Sequence, residues 1–398
     1  MTESSVMPLH MRRVEFDPAP ELAAARDEEG VTQVKTAFGA DAWLVTRYAD
    51  VREVLGDAER FKIAPQTLAR LPGAPELTEE QLAKLNAGNL LGVDPPEHTR
   101  LRRMLTPEFT IRRMRRLEPR IKRIIDDHLD AMEAAGSPAD LVSSFALPIP
   151  SLVICELLGV PYEDREGFQH RSSRMLDMSV PAEERVGLQF EARMYMEQLV
   201  RRIQADPGED LLGMLVREHG DDLTTDELIG IGSLLLFAGH ETTSNMLSLG
   251  TLALLRHPEQ LEIMKKDPER IDGAVEELLR WLSIVHSGTT KVATTEVELG
   301  GRTIAPGDLV ICALPAANRD PALLPDADKF DVSRGAPGHV AFGHGVHHCL
   351  GAPLARMELK TAFPALFQRF PGLRLTDTAP QFRSFYAVYG MSSLEVAW

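Results

Sequence analysis

The sequence predicts a mainly α-helical fold with small β-sheets, organised as one unit over residues 1–398. Three observations predict it. Leu, Met, Glu and Arg recur at spacings of three and four over Asp50–Leu55, Leu101–Ala135, Arg185–Ala205, Thr225–His257 and Asp272–Leu282, the period of a helix with one apolar face. Alternating or β-branched runs are fewer and cluster late, at Lys291–Leu299, Arg302–Ile304 and Leu309–Cys312, with another pair expected near Phe385–Val388 and Ser393–Val396. No long linker divides the chain, since Leu71–Leu77 and Gly136–Leu141 are loop-sized, and no internal repeat is present.

Each element carries its own punctuation. Pro95-Pro96 is suited to open a helix, because a missing N–H costs nothing in the first turn. Thr225, followed by Glu227 and Leu228, predicts a capped helix start, and His257-Pro258 predicts its stop. Gly300-Gly301 and Pro306-Gly307 are turn pairs that break the late strands. Leu350 begins a further helical run that tolerates Pro353 in its first turn.

Composition excludes several classes. The chain carries 43 Lys+Arg against 59 Asp+Glu, a net charge of −16, which argues against a general nucleic-acid binder. With 44% apolar and 26% charged residues it has the balance of a folded domain rather than a disordered one. Three cysteines exclude a disulfide scaffold and suit a reducing compartment. The start, Met1–Arg13, lacks the apolar run of a secretory signal, and Leu228–Gly239 falls short of the ~20 apolar residues that span a bilayer. A cytoplasmic protein without a membrane span is expected.

The densest chemistry lies at Ala341–Leu359, where glycines punctuate a loop ending in Cys349 just ahead of a helix. A helix N-terminus stabilises a thiolate, which can act as nucleophile or metal ligand. Three readings compete there. A lone cysteine is most often a small buried hydrophobe, which describes Cys155 and Cys312. His339, His344, His347 and His348 allow zinc, although no second cysteine lies nearby. Haem ligation by one thiolate is the third. A second motif sits in the apolar helix at Leu234–Ser244, where Ala238-Gly239 leaves space and Glu241-Thr242 sets an acid beside an alcohol. Taken alone, that pair reads as a polar stripe with Thr242 bonding back to its own helix.

Phe342–Gly351, reading FGHGVHHCLG, resembles the haem-binding signature of the cytochrome P-450 superfamily, matching at Phe342, Gly343, Gly345, His347, Cys349 and Gly351. The resemblance covers essentially the whole chain and implies a triangular, mainly helical prism with haem b (iron protoporphyrin IX) between the distal oxygen-binding helix and the proximal helix. It implies that Cys349 is the iron ligand, with Phe342 packed beside its sulfur. Leu234–Ser244 is similar to the family's oxygen-binding groove, which implies that Thr242 holds dioxygen and a water while Glu241 relays protons. Glu277 and Arg280 resemble the helix-K pair, with Arg334 as an expected third, structural member. His98 and Arg102, at i and i+4, resemble the propionate pair, and His347 is a further propionate candidate. Lys291 stands where the family usually has an arginine; it keeps the charge but loses the bidentate fork.

The resemblance also frames the partners. Arg100–Arg123 holds ten Lys/Arg and two acids, a net of +8, so the remainder of the chain stands at −24. The bland reading is a solvated face. The functional one is a docking surface for an acidic ferredoxin, through Arg103, Arg112, Arg113 and Arg116. The expected reaction inserts one atom of O2 into a C–H bond, with electrons from NAD(P)H through a ferredoxin reductase and ferredoxin. A bulky apolar substrate of the polyketide or macrolide kind is expected, with epoxidation an alternative outcome and Leu234, Phe237, Ala238 and Ser287 as contacts. Wider pocket segments are 66–91, Met175–Phe190, Val285–Thr290 and Phe385–Val388. A broad xenobiotic, terpenoid or steroid hydroxylase is the alternative. A peroxide-driven relative and a non-catalytic haem sensor or carrier are the rivals, and Glu241-Thr242 counts against the first.

Overall fold

The computed structural model describes residues 7–63, 76–335 and 338–398. Residues 66–75 of the expected pocket, and most of the Leu71–Leu77 loop, lie outside the described residues.

The organising element is a 32-residue helix, Thr225–Arg256. Its start is a reciprocal capping box. The Thr224 hydroxyl accepts the Glu227 N–H at 3.1 Å, and the Glu227 carboxylate accepts the Thr224 N–H at 2.8 Å. The cap is therefore Thr224, one residue before the expected Thr225, because the capping residue must itself stay extended (φ −70°, ψ 158°). The helix ends where the next one begins with Pro258. Apart from one strip it is buried along most of its length, packed against helices Pro148–Leu158, Ala182–Ala205 and the C-terminal helix Ala352–Arg369.

Two expectations change in detail. The single helix expected over Leu101–Ala135 is two, Glu97–Leu105 and Ile111–Ala135, joined by a short 3-10 turn at Thr106–Phe109. Pro107 accounts for the break, since it removes a backbone donor and crowds the preceding turn. Helices Pro148–Leu158 and Arg165–Leu176 lie outside the expected elements. The first is apolar on nearly every side, so it has no polar face from which a period could be read.

The largest sheet has five strands in the order Val31–Lys35, Asp41–Val45, Leu309–Cys312, Thr289–Ala293 and Phe61–Ile63. The Val297–Leu299 and Arg302–Ile304 hairpin turns at Gly300 and Gly301, whose φ values of 53° and 74° suit glycine. Near the C-terminus the strands are Gln381–Arg383, Gly390–Ser393 and Glu395–Ala397. Phe385–Val388 is not a strand of that hairpin; it makes an isolated antiparallel bridge, Asp177 to Tyr386.

Glu277 and Arg280 lie on helix Ile271–Leu282 with both side chains fully buried. Their contact is bidentate, at 2.7 and 2.8 Å. Arg280 also donates to the carbonyls of Asn318 and Ala327, each at 2.7 Å, and Glu277 accepts the Asp331 N–H at 2.9 Å. Arg334 does not reach Glu277. It donates to Pro325 O at 2.9 Å and faces the Asp331 carboxylate at 3.7 Å, so it joins the pair only through Asp331. Removing one partner of such a pair leaves the other charge buried and alone. Arg280→Ala is expected to destabilise the fold by about 3–5 kcal/mol, read as a lower denaturation midpoint, whereas Arg334→Ala should cost less than half as much.

Candidate active site

The loop before helix Ala352–Arg369 is shaped by its glycines. Gly345 has φ 72°, and a Cβ there would lie 2.3 Å from Leu55 O, so no side chain fits. The Cys349 N–H donates to Phe342 O at 2.9 Å, which closes the loop on itself. Cys349 lies deep in the fold with its side chain still exposed. Burial pushes its thiol up, while the backbone N–H of Gly351 and the Arg102 charge pull it down. The Arg356 guanidinium lies 4.6 Å from the centre of the Phe342 ring.

The histidines of this loop diverge. His339 meets Glu276 at 3.0 Å, His344 lies 3.5 Å from Arg52, and the His347 ring sits 4.2 Å from the His98 ring. Among the described residues no group of three or more His, Cys, Asp or Glu side chains is placed to hold a metal ion, so the histidines build no zinc site with Cys349.

His98, Arg102, Lys291 and His347 form a cluster short of negative charge. His98 and Lys291 are almost fully enclosed. His98 Nδ1 and His347 Nε2 are buried without a hydrogen-bond partner. Among the described residues neither the Lys291 ammonium nor the Arg102 guanidinium has an ion pair. Asp94 borders the cluster, but its oxygen stands 3.9 Å from His347 Nε2, too far for a hydrogen bond. Burial, then the charges of Lys291, His98 and Arg102, push His347 down to about 3. Buried cation-capable groups without partners are costly unless anions complete them. The two carboxylates of haem b fit that need.

On the central helix, Leu234, Phe237, Ala238 and Thr242 are part-buried while Leu235, Leu236, His240, Glu241 and Thr243 are buried. Positions 234, 238 and 242 follow the i, i+4 spacing, so they share one open strip. Thr242 donates to Ala238 O at 3.0 Å. Gly239 does not widen this strip: a Cβ there would meet Ile154 Cδ1 at 2.8 Å, so the glycine admits helix Pro148–Leu158 instead. Glu241 accepts from Arg383 at 2.9 Å, with its own side chain 2% exposed. Ser287 is part-buried, and its N–H donates to Ala387 O at 3.4 Å.

Sequence reasoning missed two partners. Arg383 lies in a short strand with no motif around it. Glu276, beside the recognised Glu277, accepts from Arg356 at 2.6 and 2.8 Å and from His339 at 3.0 Å, joining helices Ile271–Leu282 and Ala352–Arg369 to the cysteine loop. Of the four docking candidates, Arg103, Arg112 and Arg116 are exposed, while Arg113 is spent on Glu108 at 2.9 Å.

Residues 270–385 match the family model described as Cytochrome P450. Cytochrome P450 FAS1 of Rhodococcoides fascians is 50% identical over 399 residues, covering 100% of each chain. The chain belongs to the cytochrome P450 family. A solved structure of P450 StaH from glycopeptide antibiotic A47934 biosynthesis has a TM-score of 0.87 at 45% identity, covering 99% of this chain and 100% of its own. The mycinamicin VIII C21 methyl hydroxylase MycCI of Micromonospora griseorubida reaches a TM-score of 0.89 at 38% identity, covering 98% and 99%. The architecture is the P450 fold, the cofactor of this family is haem b, and the enzyme class is the P450 monooxygenase. No helix among the described residues is long and apolar enough to cross a membrane.

Burial pushes Glu276 up, but hydrogen bonds from Arg356 and His339 outweigh it and hold the carboxyl at about 2. A carboxyl depressed in the fold contributes stability that is fully present above its unfolded value of 4.5 and is lost as pH falls toward 2. Denaturation midpoints followed from pH 6 to pH 3 should therefore fall less steeply in Glu276→Gln than in the parent, from a lower starting value.

Proposed function

We propose that this P450, acting as a single catalytic domain over residues 1–398 in the cytoplasm, hydroxylates or epoxidises a bulky, weakly polar secondary metabolite of the polyketide or macrolide kind. The observation that carries the reading is the combination of a deep, exposed thiol at Cys349 with a buried, anion-poor cluster of His98, Arg102, Lys291 and His347. Cys349 would hold the iron, with Phe342 beside the sulfur, and the cluster would take the propionates. Haem b, when bound, would supply the activation of O2, one atom of which goes to substrate and the other to water.

The chain's own residues do the rest. Thr242, on the open strip, has a hydroxyl whose lone pairs are free to accept while its proton goes to Ala238 O. Glu241 holds a carboxylate at the next position, where protons can be relayed from solvent into a site otherwise lined by apolar groups. Leu234, Phe237, Ala238 and Ser287 would contact substrate. Electrons would arrive from NAD(P)H through a ferredoxin reductase and a ferredoxin docked on Arg103, Arg112 and Arg116. Support for a secondary metabolite comes from the hydroxylation of a mycinamicin by MycCI and the place of StaH in glycopeptide biosynthesis. The alternative is a broader xenobiotic, terpenoid or steroid hydroxylase.

The reduced CO adduct tests thiolate ligation. The parent should show the red-shifted Soret band, and Cys349→Ser should lose it; a parent without that band ends the reading. Reversing Arg103, Arg112 and Arg116 together to Glu should cut ferredoxin-supported turnover by about tenfold at low salt and flatten its salt dependence, whereas Arg113→Glu alone should do less.

A further inference from the structure

The buried acid on the central helix is tied to a surface segment. Glu241 is 2% exposed, and Arg383 is its one ion-pair partner among the described residues. Arg383 comes from strand Gln381–Arg383, and its guanidinium lies 5.4 Å from the centre of the Tyr386 ring. Tyr386 in turn is clasped to the segment 177–181, which joins helices Arg165–Leu176 and Ala182–Ala205. The clasp has several parts. Met178 N–H donates to Phe385 O at 3.0 Å, and Ala387 N–H donates to Leu176 O at 2.8 Å. Asp177 and Tyr386 themselves form an isolated antiparallel bridge. On the other side, His286 Nε2 donates to Tyr386 O at 2.6 Å.

We infer that Arg383 is a positioning residue for Glu241, and that it makes the pairing of this acid depend on whether the 177–181 segment is seated. The inference rests on the proposed role of Glu241 as proton relay. Its physical basis is an asymmetry. The Arg383 side chain is 15% exposed, so it can follow its strand toward water when the clasp opens, whereas Glu241 is held inside the central helix and cannot. A carboxylate left buried without its cation takes up a proton, because the low dielectric penalises the charged form. His240, the neighbour on the same helix, offers no replacement charge: burial pushes its pKa down and its Nδ1 is engaged with Leu236 O at 2.8 Å. Seating the segment thus keeps Glu241 paired, and lifting it leaves the acid buried without its cation.

Two measurements on the holoenzyme test this, neither of them turnover. In infrared difference spectra, Arg383→Leu should gain a protonated-carboxyl band that is absent from the parent, from Arg383→Lys, and from Arg383→Leu/Glu241→Gln. Amide hydrogen exchange at Met178 and Ala387 should rise about tenfold in Arg383→Leu and in Glu241→Gln, no further in the double variant, and return in Arg383→Lys, with helix Ile111–Ala135 unchanged as a folding control. An Arg383→Leu protein with no new carboxyl band, or with parental exchange at both amides, overturns the coupling. The Soret position of the reduced CO adduct is recorded on the same samples. A parent lacking the thiolate band defeats the proposed function instead, whatever the exchange shows.

Discussion

The fully buried Glu277–Arg280 pair is the interaction on which the cysteine loop depends. Its energy comes less from the pair itself than from what the pair must hold to stay satisfied. A buried guanidinium needs acceptors for its remaining donors, and Arg280 finds them in the carbonyls of Asn318 and Ala327. That requirement fixes the irregular stretch leading toward the loop. Asn318 passes the constraint on, because its side-chain oxygen accepts the Val340 N–H at 2.8 Å, two residues before Phe342. Glu276, one residue away on the same helix, pins the loop from the other side through His339 and Arg356. Two adjacent glutamates on one helix therefore position a cysteine more than seventy residues later.

The same rule, that buried charge must be completed, separates structure from function here. Around Glu277 and Glu276 every charge has its partner within the chain. Around His98, Arg102, Lys291 and His347 it does not, and the shortage is of anions. Folding alone gives no reason to enclose such a group. The proposed contact with the two haem carboxylates would. Lys291 illustrates the point: burial lowers its pKa, yet the strand Thr289–Ala293 keeps it almost wholly enclosed.

What could be read from the sequence follows how local each interaction is. The cysteine loop, the capped central helix and the Glu-x-x-Arg spacing are set by residues within a few positions of one another, and each was legible. Glycine was legible as a position but not as a reason, since Gly239 makes room for Ile154 of another helix and not for a ligand. Arg383 was not legible at all, because nothing near it in sequence marks a partner 142 residues away. Helix Pro148–Leu158 escaped for the opposite cause: enclosed on nearly all sides, it shows no alternation to detect.

The central helix joins these levels in one element. One side is packed so closely that a single methyl group at Gly239 would strike its neighbour, while the strip at Leu234, Ala238 and Thr242 stays open. Tight packing on one side is what allows the other to stay open without the helix bending to fill the space. Glu241 lies at the boundary between the two sides, adjacent to Thr242 but enclosed, and so requires a cation that the helix itself does not supply. The cation comes from a strand near the end of the chain. The acid and the alcohol are therefore neighbours in sequence that answer to different parts of the fold: Thr242 to its own helix through Ala238 O, and Glu241 to the strand of Arg383.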